Sequence, residues 1–328
     1  MAISQAVAPR NAKNRPFVLK KGISHLSDLA DGGGVFGYPG DYYGRIYYVN
    51  NITGNSSYDG LSWDTPFDEV STAITASETY RALPSGSTND YQRNIIFIQG
   101  TGTAYTKLTA LPSYCDMIGI GADVRGNGSG IARIGSDANT TPASGVDADA
   151  VRGLYMQGLQ FQAGSGYAAF DCDDIFRSKF VDCAFMGNGG GALAPSAGLT
   201  WKRASGLVVD GCHWGSASGS GGAFDIGIHV SGTHFHNTII RNCHITGVVG
   251  IQIDVACTSP YFSDVHDNYI GSGFDECTLS VDDNSGQSHV VFRNNQLATN
   301  GTLLANGAGR WINNWITNGV APVAVTAT

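Results

Sequence analysis

Glutamate is nearly missing from these 328 residues: Glu69, Glu78 and Glu276 are the only three. Lysine is scarce as well, and only 14% of residues are charged. Exposed helices draw on both residue types, so helices are excluded as the main building element. The opening residues, MAISQAVAPRNAKNRPF, hold no apolar stretch behind a charged start, and no run approaches the roughly 18 apolar residues of a membrane-spanning helix. The expectation is a chain made and kept in a cytoplasm, or released without a Sec signal, with no membrane partner. In that setting the seven cysteines are expected as reduced thiols, not as a disulfide framework.

Glycine, in contrast, occurs 45 times, amid abundant Asn, Ser, Thr and Asp, and hydrophobic residues make up 42% of the chain. This composition favours many short strands joined by turns around an ample core. Charge is unevenly placed. Arg10, Lys13, Arg15, Lys20 and Lys21 all precede the first acidic residue, Asp28, so the segment up to Lys21 carries +5 and the remainder −13. An acidic body argues against nucleic acid as a partner.

Residues 1–43 show no sustained periodicity and end in DGGGVFGYPGD; they are read as an extended basic arm. Residues 44–93 supply an entry strand, GRIYYVNN, and a helix. Thr65 is expected as its N-cap, Pro66 at the first helical position and Asp68 at the capping-box site. Phe67, Val70 and Ile74 form its apolar face, and the helix is expected to end near Tyr80. The strand NIIFIQG follows.

From residue 94 to 328 a repeat takes over. With Cys243 of IIRNCHI as position zero, an apolar residue stands three before it and another two after. The same frame fits Leu159, Cys183, Cys212, Asn268, Asn295 and Asn314, at successive spacings of 24, 29, 31, 25, 27 and 19 residues. A weaker series begins at GIHV (227), GIQI (250), CTLS (277) and TLLA (302). A period in the twenties with at least two short strands per unit marks a solenoid, and the lack of helix signals and of leucine-rich spacing leaves a parallel β-helix. The zero positions are expected to stack inside as a ladder, thiols first and then asparagines that bond their amides to adjacent coils. The helix is a lid for one end; Trp311, Trp315 and the tail GVAPVAVTAT finish the other.

The stretch IYYVNNITGNSSYDGLSWDTPFDEVSTAI resembles the entry segment of pectate-lyase-like right-handed β-helix proteins. With the coils, the resemblance covers roughly residues 44 to 320. It implies an all-β, right-handed parallel β-helix with an N-terminal capping helix. The glycine-rich coils and the free arm look more like virion proteins of tailed bacteriophages, in which such β-helices serve as tailspikes or capsid-decorating spikes, usually as trimers. That likeness implies a virion location after assembly in a host bacterial cytoplasm, with the major capsid protein or another virion protein as partner.

Catalytic motifs of the superfamily are missing: neither the lyase RxPxxR phrase nor the polygalacturonase NTD, DD, GHG and RIK series occurs. The adjacent carboxylates in DCDD (171–174) and VDD (281–283) are expected in or near turns, where aspartate is common. Asp182, Asp210 and Asp267 stand beside corner positions and are the weak candidates for a paired-carboxylate glycosidase. His229, His234 and His236 lie close together, with no cysteine or carboxylate completing a metal site at recognisable spacing; no metal and no cofactor is expected. His213 and His244, continued by Tyr269, Gln296 and Trp315, share one outward position, a polar-aromatic stripe suited to a glycan or to a subunit contact. The glycine-rich GIGADVRGNGSG and GNGGGA lack the Walker lysine and are turns.

The preferred reading is a phage structural protein, expected as a homotrimer, whose arm (Arg10, Lys13, Arg15, Lys20, Lys21) docks on the capsid while the β-helix projects and contacts host surface polysaccharide. The alternatives are a tailspike-type depolymerase using paired aspartates and a non-enzymatic carbohydrate-binding adhesin.

Overall fold

The computed structural model describes residues 44–82, 93–126, 128–135, 144–164, 166–187, 197–216, 224–259, 261–271, 279–285, 289–298, 309–317 and 323–325. The arm and the TLLA phrase lie outside them. Three sheets of ten, nine and six strands, parallel except for the last strand of the second, form the molecule, and each middle coil adds one strand to each sheet as the chain passes. This is a parallel β-helix, right-handed as β-crossovers are.

The first sheet begins with Ile46–Val49, Asn94–Gln99 and Cys115–Ile120, paired in register Tyr47↔Ile96↔Met117. These early strands precede the start of the third sheet, so that end of the core is open. Helix α1, Val70–Arg81, covers it, placing Val70, Ala73 and Ile74 among Tyr47, Val49, Ile96 and Ile98. The helix starts later than the capping-box reading requires. Phe67 pairs as a β-bridge with Val49, and its N–H bonds Tyr48 O at 2.9 Å. Phe67 is thus held by the first strand, and Glu69 takes the N-cap position without a side-chain cap. Phe67 still reaches the core.

The repeat frame is the register of the solenoid. The residues three before position zero pair in sequence, Met156↔Phe180↔Val209↔Ile240↔Val265↔Phe292↔Trp311. The residues two after it do the same in the second sheet, as Phe161↔Phe185↔Trp214 and Ile245↔Ile270↔Leu297↔Ile316. A single residue in the left-handed region turns the chain between the two sheets: Gly158, Asp182, Gly211, Asn242, Asp267, Asn294 and Asn313. Gly, Asn and Asp tolerate that conformation best, which is why the drifting sequence keeps one of the three there.

The zero positions are buried and satisfied by neighbouring coils. Asn268, Asn295 and Asn314 each donate Nδ2–H to a main-chain oxygen of the preceding coil, Ile240, Val265 and Phe292, at 2.8–2.9 Å. Their Oδ1 atoms accept the main-chain N–H of Cys243, Asn268 and Asn295. The thiols of Cys212 and Cys243 point at the equivalent oxygens, Phe180 O and Val209 O, both at 3.7 Å. Burial drives the Cys183 and Cys212 thiols well above their ordinary pKa, and the six described cysteines are free and buried.

The weaker series is corrected in one place. Val249–Ile253 pairs Ile251 with Ile228 and with Val281, so SVDD (280–283), three residues beyond CTLS, stands opposite GIQI. Glycine recurs at 227 and 250 because a Cβ would meet Ile245 Cγ2 at 2.7 Å in the first case and Ile270 Cγ2 at 2.3 Å in the second. At the far end Trp311 stacks on Phe292 at 4.5 Å, and the tail folds back as Val323–Val325, antiparallel to Asn314–Thr317. This return strand covers an edge that would otherwise invite further pairing.

Replacing Asn295 by Ala leaves Val265 O and the Asn268 N–H without their side-chain partner in a dry interior. Urea unfolding is expected to show a loss of about 2–4 kcal/mol, against a change within about 0.5 kcal/mol for the exposed neighbour Gln296→Ala. Equal effects would remove the ladder from the account of stability.

Candidate functional site

The three aspartates singled out as a paired-carboxylate candidate do not form one cluster. Asp182 and Asp267 are left-handed corner residues of the same kind, but three coils apart, about 14 Å at the strand spacing. Asp210 lies one residue earlier in its coil, opposite Arg241. It accepts Arg241 Nη2–H at 2.7 Å and Asn242 Nδ2–H at 2.9 Å. Burial works against its charge, but these donors outweigh it and hold its pKa below the usual carboxylate value. A general acid needs the opposite shift. Asp267 is lowered too, chiefly by its hydrogen bond to His266.

The polar-aromatic stripe is one register column of the second sheet: His213↔His244↔Tyr269↔Gln296↔Trp315. The imidazoles of His213 and His244 lie 4.9 Å apart and Tyr269 meets His244 edge-on at 4.7 Å. Burial pushes the His213 pKa down to about 4, helped by repulsion from His244 and Arg125, and lowers that of His244 as well; their Nδ1 atoms lie 3.2 Å apart, within hydrogen-bond reach. Over the earlier strands of this sheet the segment around Val124 and Ile131 packs on Ala184 and Met186. The column becomes open toward Trp315, which is 47% exposed.

A third arrangement lies on the outer face of the third sheet, where DCDD proves to be strand, in Phe170–Phe176. VDD likewise belongs to Leu279–Asp283. The turn reading fails for DCDD, because Cys172 is an inward-facing core residue that registers with its neighbours in adjacent coils; VDD ends its strand beside a turn, where Asp283 Oδ1 accepts the Ser285 N–H at 3.1 Å. Asp171 stands in an outward column Asp147↔Asp171↔Thr200↔His229↔Gln252↔Asp282. Around it a groove of about 450 Å³ is lined by Asp147, Asp149, Asp171, Asp173, Thr200, Lys202, His229 and Tyr167.

The groove's basic side chains are already engaged. Lys202 Nζ bonds Asp173 at 2.7 Å, and His229 Nε2 meets Asp254 at 3.0 Å, with Gln252 donating to the other oxygen of Asp254 at 2.9 Å. Asp171 has no such partner among the described residues. Burial raises its pKa to about 6, with repulsion from Asp147 and Asp173 adding to the shift against the opposing pull of Lys202 and His229. His234 and His236 sit apart from this groove; their rings are 5.7 Å apart, and His236 meets Tyr261 at a tilt, 5.1 Å between ring centres. Among the described residues no group of three His, Cys, Asp or Glu side chains is placed to hold a metal ion.

Asp171 holds its proton longer in the folded chain than in the unfolded one, whose ordinary value is about 3.9. Its contribution therefore favours folding below about pH 4 and is lost as pH rises through about 6. Asp171→Asn is expected to stabilise the protein at pH 7 by about 1–2 kcal/mol after allowance for solvent screening. The gain should vanish at pH 4 in urea unfolding, and a pH-independent effect would count against the shifted carboxyl.

No family model matches the chain, and no curated protein matches it in sequence. Among solved structures it is similar to pectin methylesterase PemA from Erwinia chrysanthemi, at 12% identity over 84% of this chain and 90% of that one, with a TM-score of 0.43. A pectin methylesterase from Aspergillus niger matches at 14% identity over 86% and 91%, with a TM-score of 0.45. The ORF18 protein of Geobacillus virus E2 matches at 14% identity over 83% of this chain and 60% of that one, with a TM-score of 0.26.

Proposed function

We propose that the chain is a structural protein of a tailed-bacteriophage virion, tied to the capsid by its basic arm and carrying its β-helix outward toward host-surface glycans. The observation that carries this reading is charge polarity along a rod. The five cations Arg10, Lys13, Arg15, Lys20 and Lys21 precede the solenoid, while the rest of the chain sums to −13. The chain enters the first sheet at Ile46, at the end that α1 covers, so a basic tether leaves from one end of an acidic body. Such a tether suits docking on an acidic protein surface, the major capsid protein or another virion protein, and three copies would assemble in the host cytoplasm.

The flank of the rod suits a scaffold. Arg241 with Asp210, Arg293 with Asp264 and Lys202 with Asp173 each join successive coils. A second reading, glycan binding through the β-helix itself, is favoured by the Asp171 groove on the third sheet. A tailspike-type depolymerase built on Asp182, Asp210 and Asp267 is not favoured, because Asp210 is held by Arg241 and Asp182 and Asp267 stand three coils apart.

The test compares the full chain with a form lacking residues 1–43, each mixed with undecorated capsids of the virus that encodes it. Only the full chain is expected to co-sediment, in multiples of three. Equal binding by both forms, or by neither, would overturn arm-mediated docking.

A further inference from the structure

Within the groove on the third sheet, negative charge exceeds what the protein compensates. Lys202 is taken by Asp173, His229 by Asp254, and the adjacent Arg203 by Asp174. Asp147, Asp149 and Asp171 remain without an ion pair among the described residues, the first two on Val146–Arg152 and the third beside them on the next strand. Between Asp171 and His229 stands Thr200, only 7% exposed. It lines the groove, and its side chain has no hydrogen-bond partner among the described residues, which leaves the hydroxyl available to a ligand. Tyr167, 42% exposed, forms part of the rim.

The geometry points to this groove as a binding site for an amine-bearing oligosaccharide, a glucosamine chain with free amino groups. Three features select that chemistry. Uncompensated carboxylates at Asp147, Asp149 and Asp171 favour an ammonium and repel uronate, sialate or phosphate groups. The Thr200 hydroxyl and the Asp171 carboxyl offer hydrogen bonds to ring hydroxyls. The exposed Tyr167 ring offers a face on which the apolar side of a sugar packs. A volume of about 450 Å³ lies within the usual range for small-ligand sites. The inference rests on the glycan-contact part of the proposed function and not on capsid docking.

Binding should also move a proton. An ammonium beside Asp171 lowers its pKa, so near pH 6, where that carboxyl is half-protonated, Asp171 releases up to about half a proton on association, from which the protons taken up by the sugar's own amines are subtracted. The titratable and charged groups that surround it are Asp147 and Asp149 on one neighbouring strand, Asp173 on its own, Lys202 and His229 on the following coils, and Asp254 behind His229.

The experiment is calorimetric titration of the full chain at pH 6 with β-1,4-linked glucosamine tetramer, in two buffers of different ionisation heat. Parallel titrations use the N-acetylated tetramer, a galacturonate oligomer and a tetralysine peptide. The glucosamine tetramer is expected to bind at least tenfold tighter than the acetylated one, with proton release, and the galacturonate not at all. Thr200→Val, which keeps the side-chain shape, should weaken binding about three- to tenfold, and Asp171→Asn should abolish the proton release. Equal affinity for both glucosamine forms would overturn the amine assignment while leaving glycan contact standing. Binding of tetralysine as tightly as the sugar would replace the glycan by a basic peptide. Absence of binding by either sugar would overturn both the inference and the glycan contact, and would leave arm docking untouched.

Discussion

One hydrogen bond, repeated from coil to coil, organises this molecule. A buried side chain at the corner between the first two sheets reaches back to a main-chain oxygen of the preceding coil. The corner needs a left-handed residue just before it, and that turn takes main-chain groups out of the regular sheet ladder. Stacked asparagine amides satisfy these groups without water, and each asparagine oxygen returns the bond to the neighbouring coil. In the earlier coils cysteine thiols occupy the same place, with longer contacts to the equivalent oxygens. A small soft side chain suffices there because the surrounding aromatic stack, Phe161, Phe185 and Trp214, already packs the interior.

Once that corner is fixed, each outward position becomes a column. Residues 24–31 apart in most of the sequence are brought about 4.8 Å apart in space, so the surface is organised by chemistry along columns. One column is aromatic and neutral, from His213 to Trp315. Another is acidic at its start and becomes mixed at His229 and Gln252. The ion pairs Arg241–Asp210 and Arg293–Asp264 link coils on the first sheet's outer face, where charge is matched. On the third sheet charge is unmatched around Asp171, and that local excess, together with concavity, makes the groove chemically distinct from the rest of the surface.

Much of the architecture is legible in the sequence because core positions repeat at strand period within a coil and at a spacing in the twenties between coils. The zero-position frame and the His213–Trp315 column follow from that rhythm alone. The helix start does not, because Phe67 carries both a helical and a strand signal and its bridge to Val49 decides between them. The DCDD phrase misleads for a related reason. Three aspartates in four residues have the composition of a turn, and only the inward Cys172, registered against Trp201 and Ala148 in adjacent coils, makes the phrase a strand. His229 carries no signal that would join it to Asp171.

By itself, the amino-acid sequence determined the β-helical class, the coil period, the interior ladder, the free thiols and the placement of positive charge before the first coil. All of these depend on local periodicity and composition, which a linear chain displays. Only the tertiary structure decided which carboxylates face one another. Coil lengths vary, so a shift of one residue in a turn exchanges inward and outward positions in the next strand, and the alignment of Asp147, Asp171, Thr200 and His229 depends on the sum of several such turns. The same sum separated Asp182 from Asp267 and set Asp210 against Arg241.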